Sequence, residues 1–206
     1  ITDPQCNRCG IPFDFDIGDV HEGSICAGCL KSPPLFDKAR SAVIYDDASR
    51  DIILSFKHGD QTHIVPSFMP WLQQTGAEIL DGTDFIVPVP LHSWRMLRRR
   101  FNQSALISQY LSQEVKVSVL LGGLKRRRST PTQGDLNFNQ RQKNVKNAFI
   151  VDPKYKAQIN GKTILLIDDV YTTGATVNEC TKILLKAGAA SVNILTVARV
   201  VKPQRV

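Results

Sequence analysis

ILLIDDVYTTGAT, residues 164–176, joins an apolar run to two carboxylates and a hydroxyl-rich turn. Ile164, Leu165, Leu166 and Ile167 form a short continuous apolar stretch preceded by Gly161, the pattern of a strand buried on both faces of a parallel sheet. Asp168 and Asp169 fall at its C-terminal end, the edge at which open α/β sheets bind their ligands. Thr172, Thr173, Gly174, Ala175 and Thr176 follow, and over 175–187 the apolar positions Val177, Cys180, Ile183, Leu184 and Ala187 recur at helical spacing. The turn is therefore predicted to feed a helix N-terminus.

Such a turn offers backbone N–H groups, the positive end of a helix dipole and three threonine hydroxyls, and Gly174 lets the backbone approach an anion closely. A monophosphate suits it. Two nearby carboxylates would repel that phosphate, so they are expected to face ribose hydroxyls or a magnesium ion held with them. Phosphate and diol on one short element describe a ribose 5-phosphate. Two blander readings are a Walker-B-like acid pair and a buried strand that ends at a solvated turn. No Gly-x4-Gly-Lys-Ser/Thr run exists in the chain, which removes the P-loop reading.

The segment closely resembles the signature of the type I phosphoribosyltransferases, in both its acid pair and its TTGAT turn. The resemblance implies that Asp168 and Asp169 contact the ribose and that Thr172, Thr173, Gly174, Ala175 and Thr176 bind the 5-phosphate of phosphoribosyl pyrophosphate (PRPP).

At 206 residues the chain suits one α/β domain plus a small appendage, with ample length to bury a core. No apolar run approaches the ~20 residues that cross a bilayer, and no charged start with an apolar core marks a signal peptide. The expectation is a cytoplasmic protein with no membrane insertion. The sequence begins at Ile1 rather than at a methionine, so residues before it are an open matter.

Four of the five cysteines form two C-x-x-C pairs, Cys6 with Cys9 and Cys26 with Cys29, separated by 16 residues. That is the spacing of a zinc ribbon. Gly10 and Gly28 allow tight knuckles whose N–H groups point at the sulfurs. Four thiolates close a tetrahedral site with no open position, so the zinc is expected to be structural. A redox-active pair and two disulfides are the rivals. Neither accounts for matched pairs on a segment too poor in large apolar residues to fold without a staple. Cys180, alone in the periodicity of the last long helix, reads as a buried small hydrophobe. His21 reads as a loop residue beside four available thiolates.

Pro33 and Pro34 mark a boundary that divides the chain into a ribbon at 1–35 and an α/β domain at 36–206. Beyond it strand-like and helix-like segments alternate. Strands are expected at 39–45, 85–89, 119–124, 148–151, 163–167 and 192–197, all in one sheet. Helices are expected at 47–57, 64–80 and 102–113, the last with Leu106, Ile107, Tyr110 and Leu111 as its apolar face. The polar stretch 125–147, which contains Pro131 and Gly134, is expected to be mobile over at least its first half.

Several pieces together narrow the resemblance to the ComF family of competence-associated proteins. They are Phe56-Lys57-His58-Gly59-Asp60, Pro88-Val89-Pro90-Leu91, and the stretches 99–103, 126–133 and 141–149, in addition to the cysteine pairs. The resemblance implies a type I phosphoribosyltransferase fold, a parallel-sheet core with helices on both faces, carrying a small N-terminal zinc ribbon. It implies a flexible loop that closes over the site and excludes water. It also implies a part in uptake of single-stranded DNA during natural transformation, or in use of DNA as a nutrient, with uptake-machinery proteins as partners. One departure is visible: Arg100 stands where the family has the glycine of Arg-Gly-Phe-Asn-Gln. An arginine does not adopt a positive φ cheaply, so a different local turn is expected there.

The formal charge is +7, and much of it gathers at Arg95, Arg98, Arg99 and Arg100 and at Lys125, Arg126, Arg127 and Arg128. Such clusters either neutralise the pyrophosphate of PRPP or track a nucleic acid backbone. A solvated face with no ligand is the plain alternative. Trp94, Phe101 and Phe138 lie beside the clusters, where aromatics would stack the bases of a single strand.

Two functions of different class remain. One is a PRPP-binding protein of DNA uptake. The other is a magnesium-dependent phosphoribosyltransferase with an unidentified acceptor in nucleotide metabolism, for which no base-reading constellation is visible. Type I relatives are often dimers, and the sequence leaves a homodimer open.

Overall fold

The computed structural model of the protein describes residues 1, 4–13, 23–58, 61–91, 101–128 and 138–201. Five strands form one wholly parallel sheet: β1 (Ala39–Ile44), β2 (Phe85–Pro88), β3 (Ser118–Val119), β6 (Thr163–Tyr171) and β7 (Ser191–Arg199), in the order β1-β7-β6-β2-β3. β4 (Leu124–Arg126) and β5 (Phe149–Val151) form a separate antiparallel pair. The helices are α1 (Ala27–Lys31), α2 (Asp47–His58), α3 (Val65–Leu80), α4 (Gln103–Val115), α5 (Phe138–Val145), α6 (Lys156–Ile159) and α7 (Ala175–Lys186).

β6 occupies the centre of the sheet, and its run from Ile164 to Ile167 is 0% exposed. Alternation divides that run between two cores. Ile164 and Leu166 join Ile194, Val177, Cys180 and Leu184 of the α7 side. Leu165 and Ile167 join Phe68, Leu72, Ile107 and Leu111 of the α3 and α4 side. A strand coated on both faces has to be apolar throughout, which is why this one reads as a continuous run rather than an alternating one. Cys180 is fully buried, and burial holds its thiol well above the usual range.

Two expectations about the sheet are corrected. The apolar stretch 119–124 is not one strand. β3 ends at Val119, Leu120 still donates to the Ile86 carbonyl, and Gly123 then donates back to the Leu120 carbonyl in a turn at Gly122 and Gly123. β4 therefore leaves the sheet. The segment at 148–151 pairs with β4 and not with the main sheet. The expected loop at 125–147 likewise contains strand residues at its start and the helix α5 toward its end, while 129–137 lie outside the described residues.

The cysteine-bearing segment is fastened to the domain rather than tethered beside it. Cys6, Cys9, Cys29 and Phe36 belong to the same core as β6 and α7. Ala39 donates to the Arg8 carbonyl at 2.7 Å, and the 96%-buried Arg40 donates to the Asn7 carbonyl at 3.2 Å while also pairing with Glu78 of α3. Gly10 explains the fit of the first knuckle. Its φ is +68°, and a Cβ there would meet the Ala39 carbonyl oxygen at 2.4 Å, so a side chain would push the knuckle off β1.

Candidate functional site

β6 runs past the expected boundary at Ile167 and through the acid pair to Tyr171, so Asp168 and Asp169 are strand residues with fixed backbones. Thr196 and Ala198 of β7 are the register partners of Asp168 and Val170. Asp168 Oδ1 accepts from the Ser104 hydroxyl at 3.2 Å and from the Asp169 amide at 2.9 Å. Asp169 Oδ1 accepts from the Val170 amide at 2.6 Å. Ser104 stands in the first turn of α4. Asn102 caps that helix, accepting from the Ser104 amide at 3.1 Å and donating to the Val89 carbonyl at the end of the β2 run. One carboxylate is thus anchored to a neighbouring helix N-terminus and the other to its own strand. Ser104 carries no sequence signal beyond its place two residues after a good cap.

The turn 172–174 lifts the chain from β6 into α7. Gly174 is the N-cap with φ +74°, a left-handed conformation, and it brings no side chain to the first-turn amides. Ala175 is buried and donates weakly to Thr173 Oγ1 at 3.4 Å, while Thr172, Thr173 and Thr176 are half-buried. α7 is a 12-residue helix, so its dipole points positive charge at this turn. All seven residues singled out in 168–176 therefore lie on one strand end and one helix start. The arrangement can seat an anion at the helix and present carboxylate oxygens to hydroxyls or a hard cation beside it.

The basic residues divide. Arg98, Arg99 and Arg100, with Trp94, Arg95 and His21, lie outside the described residues. Lys125 pairs with Asp152 at 2.8 Å, and that contact holds the Asp152 carboxyl below its ordinary range. Arg126 lies with its guanidinium carbon 5.3 Å over the Phe149 ring. Arg128 donates to the carbonyls of Asn144 and Lys146 at 3.1 Å each, closing the end of α5. Arg127 is exposed, and its amide bonds the Ala148 carbonyl. The β4/β5 pair that carries this cluster packs on α7.

Cys6, Cys9, Cys26 and Cys29 bring their sulfurs within 4.8 Å of one another, and none is in a disulfide. The amides of Cys9 and Cys26 donate to Cys6 Sγ at 3.5 and 3.3 Å. The Cys9 thiol above all, with these amide bonds, draws the Cys6 thiol down to about 4, whereas burial pushes Cys29 up to about 12, and the bond to Cys6 together with burial raises Cys9 above its usual range. Alone, the cluster does not support four thiolates together; a cation at its centre does. Four closed sulfur donors can hold a metal ion.

Two residues that sequence reasoning did not single out stand between the cysteines and the turn. Tyr171 ends β6 and is 8% exposed; Arg199 ends β7 and is 3% exposed. The guanidinium lies 4.6 Å from the tyrosine ring centroid and donates to the Cys9 carbonyl. An arginine closing the mostly apolar stretch 192–198 was the available signal.

A parallel sheet with an acid pair at the end of its central strand and a glycine-capped helix directly after it defines a phosphoribosyltransferase-type fold. The family model described as "Phosphoribosyl transferase domain" matches residues 104–205. The chain belongs to the ComF family. It is 32% identical to "Competence protein F" of Haemophilus influenzae, over 95% of this chain and 85% of that protein. It is 31% identical to "DNA utilization protein YhgH" of Escherichia coli, over 94% and 83%, and 29% identical to "Competence protein ComFC" of Bacillus subtilis, over 97% and 79%. Among the described residues no helix is long and apolar enough to cross a membrane.

Proposed function

We propose that the protein binds PRPP and acts in the cytoplasm in uptake of single-stranded DNA or in DNA utilisation. The observation that carries this reading is the pairing of a glycine-capped helix start with two carboxylates on one continuous element, β6 to α7. Asp168 and Asp169 would hold the ribose hydroxyls together with the magnesium that accompanies PRPP, an ion that prefers such hard oxygen donors. Thr172 to Thr176 would hold the 5-phosphate. The relatives' names, competence protein and DNA utilization protein, support the cellular role.

The N-terminal segment, 1–35, would be a structural zinc ribbon. A four-thiolate zinc site with Zn–S bonds of about 2.3 Å has sulfur–sulfur edges of about 3.8 Å. The Cys9–Cys26 separation of 3.7 Å matches that edge. Zinc would supply a cross-link between the two knuckles, with no open position for chemistry.

The basic surface would contact DNA phosphates, and uptake-machinery proteins would be further partners. Fluorescence anisotropy with a labelled single-stranded oligonucleotide tests this. Binding should weaken steeply with salt, and Arg127→Ala should lower the log–log salt slope by about one phosphate contact. Salt-independent binding, or none, would remove the DNA contact. The family match over 104–205 also favours a second reading, a transferase with an unidentified acceptor. Pyrophosphate release from PRPP in an acceptor screen would select it over a binding module.

A further inference from the structure

Arg199 is nearly fully buried, yet no ion pair among the described residues includes it, and its Nε finds no acceptor there. A guanidinium keeps its proton, and a buried one without a counter-charge is strongly destabilising. What faces this one is the cysteine site: it donates to the Cys9 carbonyl. Four thiolates around a divalent ion leave a net charge of about −2, which suits a buried cation as partner.

The other face of Arg199 is committed to Tyr171, its register partner across β6 and β7. Tyr171 meets the edge of Phe36, with ring centroids 6.3 Å apart, and its hydroxyl lies against Gly174, where an added Cβ would sit 2.4 Å from that oxygen. A second tie runs parallel to it: Leu35 donates to Asn178 Oδ1 of α7 at 2.7 Å. Between ribbon and turn lies a cavity of about 450 Å³ lined by Cys9, Cys29, Phe36, Tyr171, Thr173 and Arg199. The ribbon therefore bears on the turn through a few side chains around a void.

We propose that Arg199 and Tyr171 are positioning residues that couple metal occupancy of the four-cysteine site to the shape of the 5-phosphate turn, so that zinc and PRPP each strengthen the binding of the other. The proposal rests on the PRPP reading above. Filling the cysteine site fixes the Cys9 carbonyl and adds to the negative charge that faces Arg199. That guanidinium then holds the Tyr171 ring against Gly174, which keeps the α7 amides turned toward the phosphate. Linkage requires the effect to be reciprocal.

The test is an equilibrium competition for zinc between the full chain and a chromogenic chelator, with and without magnesium–PRPP. PRPP should raise the apparent zinc affinity at least fivefold, within the usual range of allosteric couplings. An Asp168→Asn, Asp169→Asn double variant controls for zinc taken up by PRPP itself and should show no increase. Arg199→Met should bring the ratio close to one, and Arg199→Lys, which keeps the charge without the flat stacking surface, should restore part of it. A ratio of one in wild-type protein that binds PRPP by calorimetry would overturn the coupling alone. Failure of the zinc-loaded chain to bind PRPP would overturn both the coupling and the reading beneath it.

Discussion

Substituting Gly174 by alanine probes the turn at its tightest point. The residue sits at φ +74°, and the new Cβ would lie 2.4 Å from the Tyr171 hydroxyl and 2.8 Å from Cζ. The Arg199 guanidinium, 4.6 Å from the tyrosine centroid, and Phe36, edge-on at 6.3 Å, hold the ring on two sides. The left-handed conformation costs alanine about 1–2 kcal/mol, and overpacking a site of this kind costs about 1–3 kcal/mol more. Reduced freedom of the unfolded chain returns about 0.4–1 kcal/mol. Gly174→Ala should therefore destabilise the protein by about 1–5 kcal/mol, read as a lower urea midpoint at unchanged m-value. Adding Tyr171→Phe removes the nearer contact but not Cζ or the φ strain, and should recover about 1 kcal/mol. PRPP affinity should fall in the single variant. An unfolding free energy within about 0.5 kcal/mol of wild type would refute the packing of Tyr171 on the turn.

Cys29→Ser should reduce bound zinc from about one equivalent per chain to near zero and lower Tm by roughly 5–15 °C, measured by metal analysis and calorimetry; zinc retained at full occupancy would remove Cys29 from the ligand set. Asp84 accepts from the Thr163 amide and from Lys162 at 2.9 Å each, and the amide above all holds its carboxyl below the usual carboxylate range. A depressed carboxyl contributes stability that is fully present above the unfolded value of about 3.9 and is lost as pH falls through the lower folded value. The stability gap between wild type and Asp84→Asn should thus be wide at neutral pH and narrow on acidification below that value, and a gap independent of pH would contradict the contact.

The β6–turn–α7 unit was legible from sequence because each part had its own signal: an uninterrupted apolar run, a glycine at the cap and helical spacing from Val177 onward. The cysteine spacing was equally direct. Val119-Leu120-Leu121-Gly122-Gly123-Leu124 misled because its apolar residues suit either one strand or two, and only pairing partners reveal that the glycines end one strand before the next begins. The extension of β6 through the acids was hidden because Asp168 and Asp169 break the apolar pattern while keeping the ladder to β7. Tyr171 and Arg199 were out of reach for another reason. Their contact arises from parallel register between residues 28 positions apart, and the Cys9 carbonyl that Arg199 meets lies 190 positions from it along the chain.

Calorimetric titration of magnesium–PRPP into the zinc-loaded protein tests whether the acid pair and the glycine-capped turn form a PRPP site. Wild type should bind saturably, more weakly with Asp168→Asn or Asp169→Asn, and not at all in the double variant. No binding by the folded, zinc-loaded wild type, or equal binding by the double variant, would contradict such a site.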